Sequence, residues 1–358
     1  MYRNTKNVPY YVFGRGSLAQ LGDLLKPRRE AVDGPVVYFV DHFFRDHELI
    51  GRLPMEKGDQ LHFVDSSSEP EVTRIDAFKE AVSAADSRTP CCVVGIGGGN
   101  ALDTAKAVAN LLTNPGKAED YQGWELVKNP AVYKIGIPTL SGTGSECSRT
   151  CVLTNIPKNL KLGMNSDYTV YDQLLLDPDL LATVPRDQYF YTGIDTFMHC
   201  VESLQGSYRN AIIDAFSIRA VQLCEEIFLS DDMMSEENRE KMMIASYIGG
   251  MAAGNVGVIH PFSAGLGVVL HVAHGLGNCL ALNVLGDIYP KEYKQFRTMI
   301  ERQGVILPTG ICKDLTEEQY EGLYRGCIVH EKPLTNALGP DFKQILTREN
   351  LIERYKSI

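Results

Sequence analysis

The hydrophobic pattern changes character part-way along the chain. In the first half, short apolar runs rich in β-branched residues recur, the clearest at Val36–Val40, Cys92–Ile96 and Lys134–Pro138. Between them, Asp76–Ala85 and Ala101–Leu112 place apolar residues at helical spacing. Strand runs alternating with amphipathic helices are the mark of βαβ units around a parallel sheet. Beyond about Pro185 the strand runs nearly vanish and long helical patterns take over, at Gly193–Leu204, Ile212–Phe228 and Glu237–Ala253. The pattern therefore predicts an α/β domain over residues 1–185 and an all-helical domain over residues 186–358. No internal repeat or low-complexity tract interrupts either half.

A chain of 358 residues accommodates two such domains, and 44% apolar with 22% charged residues is an ordinary globular balance. Forty-five acidic against 35 basic residues give a net charge of -10, which disfavours nucleic-acid phosphate and anionic lipid as partners. Nine cysteines form no CxxC pair, and no apolar leader follows a basic N-terminus, so a reducing, cytoplasmic setting is expected. Residues 242–286 contain no Asp, Glu, Lys or Arg, long enough to raise the question of a membrane span. Nine glycines, Pro261 and three histidines in that stretch favour buried helices and turns instead.

Two loops carry candidate chemistry. Gly95-Ile96-Gly97-Gly98-Gly99-Asn100 follows a strand and opens a helix, so backbone N–H groups at a helix N-terminus face outward without side chains in the way. That arrangement suits a phosphate, although a tight structural turn has the same composition. A second loop, Pro138 to Glu146, offers hydroxyl and N–H donors after the next strand, Thr139 and Ser145 among them. Two loops at neighbouring strand ends point to one long ligand. Asp41, directly after the first strong strand, is placed either to bind ribose hydroxyls and repel a 2′-phosphate or to cap a helix.

Asp195 and His199 lie four residues apart on one predicted helix, and His260, His271 and His274 fall within the uncharged stretch. A single histidine there is most simply a satisfied core residue, but the set with Asp195 and His199 is better explained as a mixed N/O metal site for Fe2+ or Zn2+. Pro261 marks a helix start beside His260, and Gly275 a turn after His274.

These motifs together, with Asp103 and Lys106 after the glycine loop, Gly193-Ile194-Asp195 with His199 and Glu202, His274-Gly275 with Asn278, and Pro333-Leu334-Thr335-Asn336, resemble the iron-containing, or group III, alcohol dehydrogenase family over nearly the whole chain. The resemblance implies an N-terminal nucleotide-binding α/β domain, a C-terminal all-helical domain, and a divalent metal with NAD between them. It implies Asp195, His199, His260 and His274 as ligands and Asp41, Gly97, Gly98, Gly99, Asn100, Asp103, Thr139, Ser145 and Lys161 as cofactor contacts. It also implies a small-molecule alcohol substrate, and a homodimer is the expected assembly.

One departure stands out. Where the family carries a second histidine four residues after the third ligand, this chain has Ala264, and His271 is the candidate to take over proton relay. That departure and the compact length resemble the branch that oxidises the terminal alcohol of 3-deoxy-manno-octulosonate. The alternatives are an NAD-dependent short-chain alcohol or polyol dehydrogenase, and a dehydroquinate-synthase-type lyase. Against the lyase, no Lys or Arg between 242 and 286 supplies a phosphate-binding cluster. A degenerate, non-catalytic nucleotide sensor is disfavoured by the retention of all four ligand candidates.

Overall fold

The computed structural model describes residues 6–358 and divides the chain into two compact units. The first runs through Leu140, Ser145–Asn155 and Leu162–Thr183; the second holds Ser141–Gly144, Ile156–Lys161 and Val184–Ile358. Three short segments that a single cut after residue 185 would leave in the first domain, residues 141–144, 156–161 and 184–185, belong to the second unit. The first of them is held by hydrogen bonding: Gly142 N–H donates to Ser246 Oγ at 2.8 Å, and Gly142 O accepts from Thr196 Oγ1 at 2.8 Å.

The first unit contains, in chain order, β1 (Tyr10–Phe13), α1 (Leu21–Ala31), β2 (Val36–Asp41), β3 (Gln60–Val64), α2 (Val72–Ala85), β4 (Cys92–Gly97), α3 (Gly99–Leu111), β5 (Gly123–Trp124), β6 (Lys134–Pro138), β7 (Thr150–Asn155), β8 (Leu160–Asn165, entering from the second unit) and β9 (Gln173–Leu176). Six strands form an all-parallel sheet in the order β1-β9-β6-β4-β2-β3, and β5-β8-β7 form a smaller one. Because β2, β4 and β6 lie inside the large sheet, successive residues face opposite layers. Val37 and Phe39 join α2 and α3 in one core, while Val36, Tyr38 and Val40 join α1 in the other. This is why these strands read as unbroken apolar runs. The edge strand β1 leaves Tyr10 and Tyr11 exposed, and β7 alternates buried with half-buried positions, so neither gives that signal.

Gly97 has φ 154°, and a Cβ there would stand 2.6 Å from Ala101 Cβ and 2.9 Å from Asp41 Cβ. Only glycine lets β4 turn into α3 while β2 ends alongside it.

The second unit holds α4 (Arg186–Gln205), α5 (Ala211–Phe228), α6 (Glu236–Gly249), α7 (Ile259–Leu270), α8 (His274–Val284), α9 (Pro290–Gln303), α10 (Glu317–Ile328), α11 (Glu331–Leu338), α12 (Phe342–Ile345) and α13 (Arg348–Lys356). Beyond the start of α4 no strand occurs among the described residues. The uncharged stretch supplies the end of α6, all of α7 and α8, and their connections. Among the described residues no single helix is long and apolar enough to cross a membrane, and Glu236–Asn255 is bent by 92° from α7.

The turn expected at Gly275 lies earlier. The chain reverses at 271–273, and His274 is the first residue of α8. Gly275 serves packing instead: a Cβ there would lie 2.7 Å from the Tyr191 carbonyl oxygen, so its absence lets α8 cross close over α4.

Candidate metal centre

The second unit brings four side chains to one point. Asp195 and His199 sit one turn apart on α4, His260 is the second residue of α7, and His274 opens α8. One ligand atom from each lies within 4.8 Å of the others. Asp195 Oδ1 is 3.1 Å from His260 Nε2 and 3.7 Å from His199 Nε2, and Oδ2 is 3.5 Å from His274 Nε2. The His199 and His260 rings stack with centroids 4.5 Å apart. Asp195 is fully buried, and a bare buried carboxylate is costly unless cations or strong donors face it. Asp195 Oδ2 and His199 Nδ1 are closed off from solvent and have no hydrogen-bond partner among the described residues. A carboxylate and three imidazoles with unused lone pairs are a donor set that fits a divalent ion of the zinc or ferrous type.

Neighbouring groups orient the four. Glu202, one turn beyond His199, places Oε2 2.5 Å from His260 Nδ1, a contact that keeps a proton on Nδ1 and leaves Nε2, 3.1 Å from Asp195 Oδ1, as the nitrogen that would give up its proton to an ion. Glu202 Oε1 accepts from Ile259 N–H at 2.6 Å and from Tyr289 O–H at 3.2 Å. Tyr289 oxygen in turn accepts from Val258 N–H at 3.1 Å. Asn278 Nδ2, one turn after His274, donates to Asp195 Oδ1 at 2.7 Å. Burial works to raise the Asp195 carboxyl, but His199, His274 and His260 outweigh it and hold it well below the usual carboxylate range. Burial drives His199 down to about 3. Burial also opposes charge on His260, but Glu202 and Asp195 prevail and push it up to about 9.

The C-terminal motif around Asn336 acts from outside the cluster. Asn336 Nδ2 donates to the Asn255 and Val256 carbonyls at 2.7 and 3.1 Å, and Oδ1 accepts from Tyr208 N–H at 2.7 Å. It therefore pins the segment leading to His260 against the one leaving α4.

The glycine loop is assembled in the first unit. Gly98 caps α3, and Thr139 N–H donates to Gly97 O at 3.0 Å, so the loops after β4 and β6 are adjacent. Asp41 ends β2 beside Gly97, and its Oδ1 accepts from Phe43 N–H at 3.0 Å and Ser66 Oγ at 2.9 Å. Through Oδ1 Asp41 caps the short turn that follows β2. Asn100 Nδ2 donates to the Ser68 carbonyl. Asp103 and Ser145 are bonded to each other, and Asp103 Oδ2 accepts from Val152 N–H at 2.8 Å. Lys106, fully buried, donates to Ser145 O at 2.8 Å, to Ser148 Oγ at 3.3 Å and to the Thr150 carbonyl. Burial raises the Asp103 carboxyl despite Lys106 beside it. This group fastens residues 145–152 onto α3, which is a positioning task.

Two further expected residues lie in the second unit. Lys161 belongs to the second unit, where its Nζ lies 3.8 Å from where a Gly267 Cβ would be. His271 is exposed and outside the four-residue cluster; at φ 54° it is the left-handed residue that ends α7. The sequence marks the corner and leaves open which way its imidazole turns. Tyr289 escaped sequence reasoning altogether, since a tyrosine before a helix-opening proline has no distinctive signal.

Comparison with known proteins agrees with this geometry. The model of the iron-containing alcohol dehydrogenase domain matches residues 9–178, and that of the family's C-terminal domain matches residues 189–322. The chain belongs to the iron-containing alcohol dehydrogenase family. Members of this family are alcohol oxidoreductases that use a divalent metal and NAD, which separates the chain from the lyase alternative. NAD-dependent methanol dehydrogenase of Bacillus methanolicus is 30% identical over 278 residues, 75% of this chain and 71% of that protein. Sulfoacetaldehyde reductase of Bilophila wadsworthia is 34% identical over 220 residues, 60% of this chain and 56% of that protein. Among solved structures, sulfoacetaldehyde reductase from Bifidobacterium kashiwanohense in complex with NAD+ superposes with a TM-score of 0.80 at 24% identity, covering 99% of this chain and 98% of that one. Alcohol dehydrogenase from Oenococcus oeni does so with a TM-score of 0.83 at 21% identity, covering 99% of each chain.

Proposed function

We propose that this iron-containing alcohol dehydrogenase interconverts a primary alcohol and its aldehyde with NAD, and that its substrate is the terminal hydroxymethyl of a sugar acid such as 3-deoxy-manno-octulosonate. The cluster of Asp195, His199, His260 and His274 carries the chemistry. A divalent ion held there, Fe2+ or Zn2+, would supply Lewis-acid assistance to ionisation of the substrate hydroxyl without changing oxidation state, and NAD would supply the hydride acceptor. Asp195 offsets the ion's charge in a buried site, Asn278 fixes Asp195 Oδ1, and Glu202 holds His260 in its ligating tautomer. The cofactor's diphosphate is assigned to Gly97, Gly98, Gly99 and Asn100, with Asp41 beside the adenosine ribose.

Ala264 carries the substrate assignment. It is 7% exposed and lies one turn after His260 on the same face of α7. A methyl group in place of an imidazole removes an ionisable side chain and leaves room for a larger, polyhydroxylated substrate. The proton then leaves through the substrate's own hydroxyls or water. A second possibility is a short aldehyde bearing an anionic group, supported by the 34% identity to a sulfoacetaldehyde reductase.

Metal analysis combined with steady-state assays on sugar acids, polyols, ethanol and propanediol tests the proposal, following NADH formation and oxygen uptake together. Sugar acids should be the better substrates. Ethanol or propanediol outperforming every sugar acid would overturn the large-substrate assignment.

A further inference from the structure

Three parallel strands end side by side at the C-terminal edge of the large sheet. Asp41, the last residue of β2, is in register with Val64 at the end of β3, and Val40 with Ile96 near the end of β4. That register brings two loops up to Asp41, the glycine loop after β4 on one side and residues 65–70 after β3 on the other. The second loop is anchored along its length. Asp65 Oδ1 accepts from Ser67 N–H at 3.0 Å and from Ser67 Oγ at 2.6 Å, and Pro70 O accepts from Thr154 N–H at 2.7 Å. Asn100, the second residue of α3, donates its side-chain amide to the Asp65 carbonyl at 3.4 Å and to the Ser68 carbonyl. The loop after β3 is therefore tied to the helix that follows the glycine loop.

Within this loop Ser66 reaches Asp41. Its Oγ donates to Asp41 Oδ1 at 2.9 Å, the same oxygen that accepts from Phe43 N–H at 3.0 Å. Oδ2 receives no hydrogen bond among the described residues. Capping the turn needs only the Phe43 contact, and an exposed serine hydroxyl has water to bond instead. What the second donor adds is a fixed carboxylate. With donors from two different segments on Oδ1, turning the side chain breaks at least one of the bonds, and Oδ2 is kept as the remaining acceptor. A carboxylate held in this way loses less entropy on accepting a ribose hydroxyl, and it cannot swing away from a 2′-phosphate.

We propose that Ser66 is a positioning residue for the nucleotide: it holds Asp41 so that Oδ2 accepts from the adenosine ribose hydroxyls, and it thereby sharpens the preference for NAD over NADP. This role rests on the assignment of Asp41 to that ribose and names the group that presets it. Asn100 contributes in two ways. Its main-chain N–H stays with the diphosphate at the start of α3, while its side-chain amide is committed to the serine loop. No sequence signal singled out Ser66: three serines between a strand and a helix read as a turn, and only the register of β2 with β3 places one of them beside Asp41.

Calorimetric titration of the zinc-loaded protein with ADP-ribose, which carries the adenosine and diphosphate without the nicotinamide, reads the contact directly; titrations with NADH and NADPH give the selectivity. One net hydrogen bond corresponds to about two- to tenfold in affinity. Ser66→Ala should weaken ADP-ribose and NADH binding by about that factor and lower the ratio of NADH to NADPH affinity. Ser66→Thr, which keeps the hydroxyl, should restore most of the loss. In an Asp41→Ala background Ser66→Ala should have no further effect, because a hydroxyl that acts through the carboxylate has nothing left to hold. Wild-type ADP-ribose affinity in Ser66→Ala, or an unaltered ratio of NADH to NADPH affinity, would overturn the proposal, as would an equal loss persisting in the Asp41→Ala background. If Asp41→Ala weakens ADP-ribose binding while Ser66→Ala does not, the ribose assignment stands and the positioning role falls; if Asp41→Ala leaves that affinity unchanged, both fall.

Discussion

Replacing Glu202 with glutamine probes the centre more sharply than deleting a ligand, because it changes a proton inventory and almost no volume. The carboxylate faces three protons, from Ile259 N–H at 2.6 Å, Tyr289 O–H at 3.2 Å and His260 Nδ1 at 2.5 Å. An amide has one oxygen to offer. If its NH2 faces His260, Nδ1 must become the acceptor, the ring proton moves to Nε2, and the ligating lone pair is lost. If the NH2 faces Ile259 and Tyr289 instead, His260 keeps its ligating tautomer but a buried donor meets a donor. The ion can bind only in the second arrangement, whose unsatisfied pair costs about 1–3 kcal/mol, or about five- to 150-fold in metal affinity. Competition with a fluorescent chelator measures the Zn2+ dissociation constant, and circular dichroism checks the fold. A well-folded Glu202→Gln protein with zinc affinity within about twofold of the wild type would refute the argument that Glu202 sets the tautomer.

Five further outcomes are expected. His274→Ala should lose bound metal and turnover together, and wild-type metal stoichiometry in a His199→Ala and His274→Ala double variant would remove the ligand assignment. With His260 pushed up to about 9, an ion must displace its proton, so apparent metal affinity should rise about tenfold per pH unit from neutrality and level off near 9; proton release measured by calorimetry in two buffers checks this. The metal-stripped protein should show the opposite slope: a pKa raised from 6.5 gives a stabilisation that is complete below 6.5 and lost as pH rises through about 9, while His199, held at about 3, contributes no slope there; a flat urea-unfolding free energy across that range would contradict it. Lys106→Met leaves Asp103 and two carbonyls without their cation and should cost about 3–5 kcal/mol, read by chemical denaturation, with a loss below about 1 kcal/mol arguing against the fastening role. Asp41→Gly should weaken preference for NAD over NADP in binding titrations, and tighter NADP than NAD binding by the unmodified protein would exclude the ribose role.

Much of this protein is local and was legible in the chain. β2, β4 and β6 are buried on both faces, so their side chains must all be apolar, and the pattern survives without knowledge of the neighbours. Asp195 and His199 share a helix face by spacing alone, and the glycines after β4 announce a turn that only glycine can make. Edge strands such as β1 carry no comparable pattern, because half of each strand meets solvent. What tertiary structure decided is which distant groups share a proton or a charge. Lys106 is an ordinary helical lysine until residues 145–150 close over it, and Asp103 and Ser145 are as free on paper to bind a ligand as to bind each other. Tyr289 orients Glu202 across 87 residues. No local signal encodes such pairings: hydrogen bonding and burial depend on distance in space, and loops and helix crossings set that distance only after the chain has packed.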